Sequence, residues 1–553
     1  MYDFRPSDGS TSGLFTREIV KTDTCNVCHE NLSLHGGARF ETQQCVACHN
    51  PGSTDANSGN SVDFKQMIHK IHRGKELPSV IAGTDYCIYG FRDNMHCYGE
   101  VVFPQDIRNC SNCHDSSDTD TPEAANWYTV PTIEGCGSCH DDMNFATGKN
   151  HAENDFGLGI VADNSQCVGC HASSTDSRLE VRQAHRMILQ EAAERFSYNI
   201  LDIQFGGLGT APLVTFSITD PTNGNLPNDL ATAPEILESN LRFTTGWSTT
   251  DYFNDGSTGS PAQPDRTSII VGGALNPAAI ANGNGSYTLA ASTVPAGTAI
   301  PITGSGVVTI EGHPAVDIGG TFTEVGPTTA AEFFAITDSS PVARRQAVDI
   351  ARCQNCHEKL SLHGDNRNDN INACVVCHNA DATDINRRPP PPTADGKAEE
   401  SIDFKWMIHK IHAADIIVYG FGGNLHDFTE VAYPQRINNC TACHTDDGFY
   451  PVDDQVLATT ISTGLDPTTP LDDVNITANT AACSSCHADS AAAAHMQQNG
   501  GSMDACQAAN GLVTVRVDTC GQGGTLGPTI SEACNVCHGP GSLADVAVTH
   551  AIN

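Results

Sequence analysis

The pentapeptide Cys-x-x-Cys-His occurs ten times in this chain, and no other feature constrains the fold as strongly. In this motif the two thiols bond covalently to the vinyl groups of a heme, and the adjacent histidine supplies one axial ligand of the iron. A structural zinc site or a thioredoxin-like redox pair would explain a single Cys-x-x-Cys, but neither explains a following histidine in every copy. The motif therefore predicts a c-type cytochrome with ten hemes. The motif residues are Cys25, Cys28, His29, Cys45, Cys48, His49, Cys110, Cys113, His114, Cys136, Cys139, His140, Cys167, Cys170, His171, Cys353, Cys356, His357, Cys374, Cys377, His378, Cys440, Cys443, His444, Cys483, Cys486, His487, Cys534, Cys537 and His538.

Four of the 24 cysteines lie outside the motifs. They are Cys87, Cys97, Cys506 and Cys520, and a short stretch of chain separates the members of each pair. The spacing predicts two disulfides, Cys87–Cys97 and Cys506–Cys520, with four free buried thiols as the alternative. Both covalent heme attachment and disulfide formation indicate a protein that works outside the cytoplasm.

The charge balance narrows the classes of partner. A net charge of −36 excludes a nucleic-acid partner and docking on anionic lipid. No stretch approaches the roughly 18 apolar residues of a transmembrane helix. The first residues, MYDFRPSDGSTSG, contain neither a basic nor an apolar signal region, so we expect the given sequence to begin downstream of its targeting segment.

Two halves of the chain repeat each other. CNVCHENLSLHGG at Cys25 recurs as CQNCHEKLSLHGD at Cys353, and DFKQMIHKIH at Asp63 recurs as DFKWMIHKIH at Asp403. Each half carries five motifs. The repeat predicts two pentaheme domains, made of short helices and loops packed on hemes, at residues 1–195 and 346–553.

The segment between the halves has a different composition. Residues 196–343 contain 13 acidic residues, no lysine, and only Arg242 and Arg266 as cations. Short runs rich in β-branched residues, such as LVTFSIT and GVVTIEG, are separated by turn residues. This pattern predicts an antiparallel β-sandwich or split-barrel domain at residues 196–345.

The histidine count predicts the second axial ligands. The chain has 23 histidines, of which ten belong to the motifs, and ten six-coordinate hemes need ten more. His69 and His72 are three residues apart on a predicted amphipathic helix, so their imidazoles share one face and are predicted to serve different hemes. His35 follows His29 too closely to reach the same iron, and is predicted to bind a neighbouring heme. The predicted distal ligands are His35, His69, His72, His151, His185, His363, His409, His412, His495 and His550.

Three histidines are then left over. His96 and His426 lie in repeat-related loops before a predicted strand and could hydrogen-bond a heme propionate instead of binding iron. His313, in the β domain, is predicted to be structural. Met67 and Met407 recur in the two halves and are predicted to pack beside the hemes.

The sequence resembles the outer-membrane decaheme c-type cytochromes of metal-reducing bacteria, the OmcA/MtrC family. The resemblance is carried by CNVCHENLSLHGG, the DFKQMIHKIH helix, EVVFPQDIRNC and their second-half copies, and by GVVTIEGHPAV and RRQAVDIARCQNCH, and it covers nearly the whole chain. It implies a multidomain multiheme cytochrome with alternating pentaheme and β-barrel domains, ten bis-histidine c hemes and, by resemblance alone, bound calcium. The given sequence departs from the family pattern, which leads us to expect an N-terminal β domain, a signal and a lipid-attachment cysteine before Met1.

The resemblance also implies a function. We expect an electron conduit on the extracellular face of the outer membrane, or secreted, with a periplasmic location as the second choice. Its expected acceptors are metal oxides, metal chelates or flavins, and its expected partners are other cytochromes or an outer-membrane porin–cytochrome complex. Terminal metal reductase activity stays open. The alternatives are a subunit of a cytochrome filament and a multiheme reductase of the nitrite or hydroxylamine type, which would need one heme with a vacant axial position.

Overall fold

The computed structural model describes residues 3–14, 17–152, 159–172, 178–254, 262–445, 448–467, 469–508, 513–516, 520 and 527–551. The chain forms two compact units. Unit 1 contains residues 1–187 with 355–358 and 434–436, and unit 2 contains residues 188–354, 359–433 and 437–553.

The helices are short, and eight of the 17 α-helices in the described part of the chain contain residues of a heme-attachment motif. Two cysteines three residues apart lie on the same side of a helical turn, so a single turn is enough to present both thiols together. Among the described residues, no helix is long and apolar enough to cross a membrane. The α-helices are α1 Thr22–His29, α2 Thr42–Cys48, α3 Phe64–Arg73, α4 Pro78–Ile81, α5 Asn126–Thr129, α6 Ile133–Cys139, α7 Val168–His171, α8 Val181–Ala184, α9 Ile188–Ala193, α10 Pro234–Leu237, α11 Ile350–His357, α12 Ile371–Cys377, α13 Phe404–His412, α14 Ala478–Ser484, α15 Ser490–Gln498, α16 Cys534–His538 and α17 Val546–Thr549. Turns of 3-10 helix cover Gly74–Glu76, Phe91–Asp93, Cys110–Asn112, Asn164–Gln166, Pro221–Asn223, Phe421–Gly423 and Cys440–Ala442.

Every strand pair among the described residues is antiparallel. The strands are β1 Cys87–Tyr89, β2 Met95–Cys97, β3 Ser197–Gln204, β4 Leu213–Asp220, β5 Leu226–Pro227, β6 Arg242–Trp247, β7 Asp265–Ser268, β8 Ile270–Val271, β9 Ala274–Leu275, β10 Ile280–Ala281, β11 Tyr287–Ala290, β12 Ser305–Glu311, β13 Ala315–Ile318, β14 Thr321–Glu324, β15 Ala330–Ala335, β16 Ser361–Leu362, β17 Arg367–Asn368, β18 Ile417–Tyr419, β19 Leu425–Asp427, β20 Thr459–Ser462, β21 Val474–Ile476, β22 Ala505–Gln507 and β23 Val513–Thr514.

Two larger sheets form the β domain of unit 2. One has the order β10-β11-β4-β3 with β5 added to β4, and the other has the order β15-β12-β6-β7. Their inward side chains share one apolar core, where Phe216, Phe243 and Trp247 are fully buried. Burial of such aromatic side chains is the main source of stability in a sandwich of this size. The β-branched runs between residues 196 and 343 therefore lie in strands, as their pattern predicts.

The second half of unit 2 contains a sheet that the sequence analysis did not predict. It has the order β20-β21-β22-β23, and its strands are two to four residues long. Thr460 on β20 pairs with Asn475 on β21, and both are fully buried. Strands this short and polar have no alternating apolar pattern, so sequence periodicity could not have identified them.

The structure confirms both predicted disulfides. Cys87 and Cys97 join β1 to β2 at directly opposed positions, with a Cα–Cα distance of 4.0 Å. Cys506, on β22, is bonded to Cys520. All 20 motif cysteines are outside these two bonds and are therefore available for heme attachment.

Candidate heme sites

Motif histidines lie opposite non-motif histidines throughout both units. The two ring centroids are 6.0 to 6.2 Å apart in each case, and each motif histidine has a different partner. In unit 1 the pairs are His29–His72, His35–His49, His69–His114, His140–His185 and His151–His171. In unit 2 they are His363–His378, His409–His444, His487–His550 and His495–His538.

This distance is the one that a shared metal ion requires. An imidazole nitrogen binds a metal at about 2 Å, which places the ring centroid roughly 3 Å from the ion, so two imidazoles on opposite sides of one ion have centroids about 6 Å apart. Two imidazoles in direct stacking contact would lie closer together. The paired rings therefore leave room for one ion between them, and the residues fit a heme iron with two axial histidines.

Hydrogen bonds orient the paired rings. The Nδ1–H of His72 donates to the carbonyl of Ile68 at 2.9 Å, and that of His378 donates to the carbonyl of Ile402 at 2.9 Å. Backbone carbonyls play the same part for His49, His151, His171, His185, His412, His538 and His550. A hydrogen bond at Nδ1 fixes the tautomer, so the lone pair of Nε2 stays free for a metal.

His69 and His409 use a serine in place of a carbonyl. The Ser138 hydroxyl donates a hydrogen bond to the carbonyl of Gly135. Its oxygen lies 3.2 Å from Nδ1 of His69 and therefore accepts a hydrogen bond from the imidazole N–H. Ser485 stands in the same relation to His409, also at 3.2 Å. The same serine–histidine contact is found in both units, so it is a feature of the sequence repeat.

Burial keeps several of these imidazoles neutral. It lowers the pKa of both His69 and His409 to about 4, and that of His363 to about 3. A neutral imidazole is the form that binds a metal, because the protonated ring has no free lone pair. These side chains are therefore in their metal-binding form at pH 7.

A left-handed turn presents one distal histidine in each unit. His35 has a φ of 53° and His363 a φ of 58°, conformations that cost energy for a residue with a side chain. Each turn is closed by a short antiparallel pairing, Leu34 with Arg39 and Leu362 with Arg367. The repeat-related positions carry the same strain, which is typical of a functional constraint.

The tenth motif histidine, His357, ends α11, and the remaining predicted distal ligand, His412, ends α13. By the repeat they correspond to His29 and His72, whose ring centroids are 6.1 Å apart. Nδ1 of His412 is hydrogen-bonded to the carbonyl of Ile408, and Nδ1 of His72 is hydrogen-bonded in the same way to the carbonyl of Ile68.

The three surplus histidines are not opposed to a motif histidine in the described part of the chain. His96 and His426 lie on the exposed hairpin strands β2 and β19, and the ring of His426 stacks on Phe428 at 6.4 Å. His313 is buried in the β domain, with Nε2 at 3.5 Å from a Glu324 carboxylate oxygen.

Beside the Cys374 motif lies a buried acidic group that sequence reasoning missed. The Thr460 hydroxyl lies 3.0 Å from Oδ1 of Asn475, 3.2 Å from Oδ2 of Asp473 and 3.5 Å from Oδ1 of Asp381. Burial, and next the negative charges of Asp403 and Asp251, raises the pKa of Asp381 to about 7. Burial, and next the negative charge of Asp381, raises the pKa of Asp473 to about 9. In the sequence both look like ordinary surface aspartates, because their burial depends on the short β20–β21 pairing.

We expect the stability of unit 2 to fall as the pH rises. The folded-state pKa values of Asp381 and Asp473 lie above the unfolded value of about 4, so their contribution is complete below about pH 4 and is lost as the pH rises through 7 to 9. Urea unfolding followed by far-UV circular dichroism between pH 5 and 9 should show the midpoint falling. Asp473→Asn should flatten this trend and exceed the parent in stability at pH 8. The exposed Asp454→Asn is the control, and an unchanged slope in Asp473→Asn would contradict the assignment.

The sequence and the fold were compared with known proteins. The sequence profile described as outer membrane cytochrome MtrC/MtrF-like, domains II/IV, matches residues 17–186 and 345–551. The multiheme cytochrome MtrC of Shewanella baltica (strain OS185) is 23% identical over 572 residues, which cover 97% of this chain and 71% of that protein.

Two solved structures share the fold. The crystal structure of MtrC from Shewanella baltica OS185 matches with a TM-score of 0.60 at 21% identity, over 91% of this chain and 73% of that one. The crystal structure of the outer membrane decaheme cytochrome OmcA matches with a TM-score of 0.65 at 20% identity, over 99% of this chain and 76% of that one.

Proposed function

Because this chain belongs to the outer membrane cytochrome MtrC/MtrF-like family, we propose that it binds ten c hemes with two axial histidines each and carries electrons across the cell surface to extracellular acceptors. The acceptors are metal oxides, soluble metal chelates or flavins. The electrons come from partner cytochromes or from a porin–cytochrome complex in the outer membrane.

The single observation that carries this proposal is the set of nine opposed imidazole pairs, with ring centroids 6.0 to 6.2 Å apart. When bound, a heme c with two histidine ligands supplies a reversible one-electron couple and has no open position for a substrate. Imidazoles on both sides of a site therefore favour outer-sphere electron transfer over the chemistry of a nitrite or hydroxylamine reductase.

The side chains of the sites have three separate tasks. The paired cysteines of each motif anchor the heme covalently, so it cannot dissociate outside the cell. The histidines hold the iron, and the carbonyl or serine at Nδ1 keeps each ring in one orientation. Fixed ligands reduce the rearrangement that accompanies a change of iron charge, which suits repeated electron transfer.

Charge should govern the reaction with soluble acceptors. The chain has a net charge of −36, so it repels anionic chelates of ferric iron. Salt at 0.1 M screens such repulsion beyond about 10 Å. We expect the dithionite-reduced protein to be oxidised faster by an anionic ferric chelate as ionic strength rises, as measured by stopped-flow absorbance at the heme bands.

A cationic one-electron acceptor is the matched control, and its rate should fall over the same range of salt. Equal salt dependence for both acceptors would mean that the overall charge does not direct the encounter. Absence of oxidation by every soluble acceptor, together with rapid reduction of nitrite or hydroxylamine, would replace the conduit by a reductase.

A further inference from the structure

We propose that Arg242, Arg266 and Arg367 form an anion-binding subsite for the propionate carboxylates of the heme attached at Cys374 and Cys377, and that they raise the reduction potential of this heme. The inference rests on the proposed function, since it assumes that His363 and His378 bind that heme. It assigns the β domain an electrostatic task in addition to its structural one.

The three arginines surround a single carboxylate. Glu311, at the end of β12, is 1% exposed. Its Oε1 lies 2.5 Å from Nε of Arg242 and 3.6 Å from Nε of Arg266, and its Oε2 lies 2.7 Å from Nε of Arg367. One negative charge therefore faces three positive charges. A partly buried surplus of like charge is costly unless further anions neutralise it, so the cluster is suited to bind carboxylates.

The cluster lies at the Cys374 site. Arg367 pairs with Leu362 in the hairpin that presents His363, whose ring centroid is 6.0 Å from that of His378. Arg367 also donates from Nη2 to Oε1 of Glu311 at 3.0 Å, so the hairpin that presents His363 contributes directly to the cluster.

A backbone contact ties the same hairpin to the β domain. The amide of Gly312, which follows Glu311, donates to the carbonyl of Asn366 at 2.9 Å. Gly312 has a φ of 116°, and a Cβ there would lie 1.9 Å from the carbonyl oxygen of Asn240. Only glycine permits this close approach to Asn240. The hydrogen bond from Gly312 to Asn366 holds the end of β12 and the hairpin together.

The distribution of charge in the β domain supports a specific role. Between residues 196 and 343 the chain has 13 acidic residues, and its only cations are Arg242 and Arg266. Both lie within 3.6 Å of the same carboxylate, which belongs to the site of the Cys374 motif. Scattered surface charges would not converge in this way in a strongly acidic domain.

The repeat supplies an internal comparison. Arg39 occupies the position of Arg367 in unit 1, and it pairs with Leu34 as Arg367 pairs with Leu362. Arg39 is exposed and has no ion pair among the described residues. The axial pair beside it, His35–His49, has the same 6.0 Å spacing. The two heme sites therefore have the same kind of axial ligands, two histidines each, and differ in the positive charge around them.

Positive charge beside a heme stabilises the state with one more electron. The effect is larger where water is excluded, because the local dielectric constant is low. The heme of the Cys374 motif should consequently accept electrons before its counterpart at Cys45, and it should do so because of the three guanidinium groups.

The test uses the full holoprotein with one heme marked. His363→Met replaces one axial imidazole by a thioether, which raises the potential of that heme and separates it from the rest. Potentiometric titration followed by absorbance and low-temperature EPR then gives its midpoint. In this background, Arg266→Gln and Arg367→Gln should each shift its reduction equilibrium about tenfold toward the oxidised form, which is 59 mV for one electron.

Three further variants make the test specific. Arg367→Lys keeps the positive charge, so the midpoint potential of the marked heme should stay close to that of the His363→Met protein. Glu311→Gln removes the competing carboxylate and should shift the midpoint in the opposite direction. Arg39→Gln is the repeat-matched control and should leave the marked heme unchanged.

The possible failures can be told apart. If His363→Met alters no heme, the axial assignment under the proposed function is wrong. If a heme is marked but Arg266→Gln and Arg367→Gln leave its midpoint unchanged, the arginines only satisfy Glu311 and the present proposal is overturned. If Arg367→Gln does not fold, Arg266→Gln decides alone, since its side chain is 37% exposed and lies at the edge of the cluster.

Discussion

Replacing His72 with alanine is expected to give one heme an altered axial ligation while the other nine remain unchanged. His72 lies on α3 with its ring centroid 6.1 Å from that of His29, and its Nδ1 is bonded to Ile68. Burial lowers the pKa of His72, so the ring is neutral and can bind iron. Loss of this ligand opens one axial position, and low-temperature EPR of the oxidised protein should show a single high-spin signal.

His96→Ala is the matched control in the same unit. His96 is exposed on β2 and is not opposed to a motif histidine, so its loss should leave the optical and EPR spectra unchanged. Identical spectra for His72→Ala and the parent would show that His72 is not a ligand. A high-spin signal in His96→Ala would instead assign the surplus histidine to a heme.

Preventing heme attachment is expected to unfold residues 1–187 while the β domain stays folded. Among the described residues of that segment, the buried apolar side chains are Met67, Leu77, Tyr86, Ala124 and Val161. So few apolar contacts cannot offset the conformational entropy of so long a chain, and the hemes must supply the rest of the core. The whole chain, produced in the cytoplasm without heme, should yield on limited proteolysis a resistant fragment near residues 188–345.

The β domain core provides the comparison. Phe216 is fully buried and packs edge-on against Phe243 at 5.0 Å, so Phe216→Ala should cost about 3–5 kcal/mol and make the fragment sensitive to protease. The heme-containing parent should resist digestion over both segments. Equal resistance of residues 1–187 with and without heme would show that the polypeptide alone forms that core.

Much of the site chemistry is readable from the sequence because it depends on short spacings. A Cys-x-x-Cys-His motif carries its own geometry, as three residues of helix bring both thiols to one side. His69 and His72 are predicted to serve different irons because they share a helix face, and their rings in the structure lie opposite His114 and His29 respectively. The two disulfides likewise follow from the sequence, because an even number of cysteines remains outside the motifs and they fall into two pairs that are close along the chain.

The partner of each imidazole could not be predicted, because it depends on contacts between separate segments. The distal histidine His35 lies opposite His49, in the next motif along the chain. The distal histidine His185, which directly follows α8, instead lies opposite His140, in an earlier motif. The repeat made six histidines in each half look equivalent. The sequence analysis left His96 out of the predicted ligands, and in the structure its strand is joined to β1 by the Cys87–Cys97 bond while the other five face motif histidines.

The sequence by itself determined the covalent chemistry: ten heme-attachment motifs, two duplicated halves, an acidic β-rich insert and two disulfides. The tertiary structure decided the electrostatics, because charge acts through space and burial and not along the chain. Arg242, Arg266 and Arg367 belong to three different strands and meet only when those strands assemble around Glu311. Asp381 and Asp473 acquire their raised pKa values only when β20 and β21 exclude water from them.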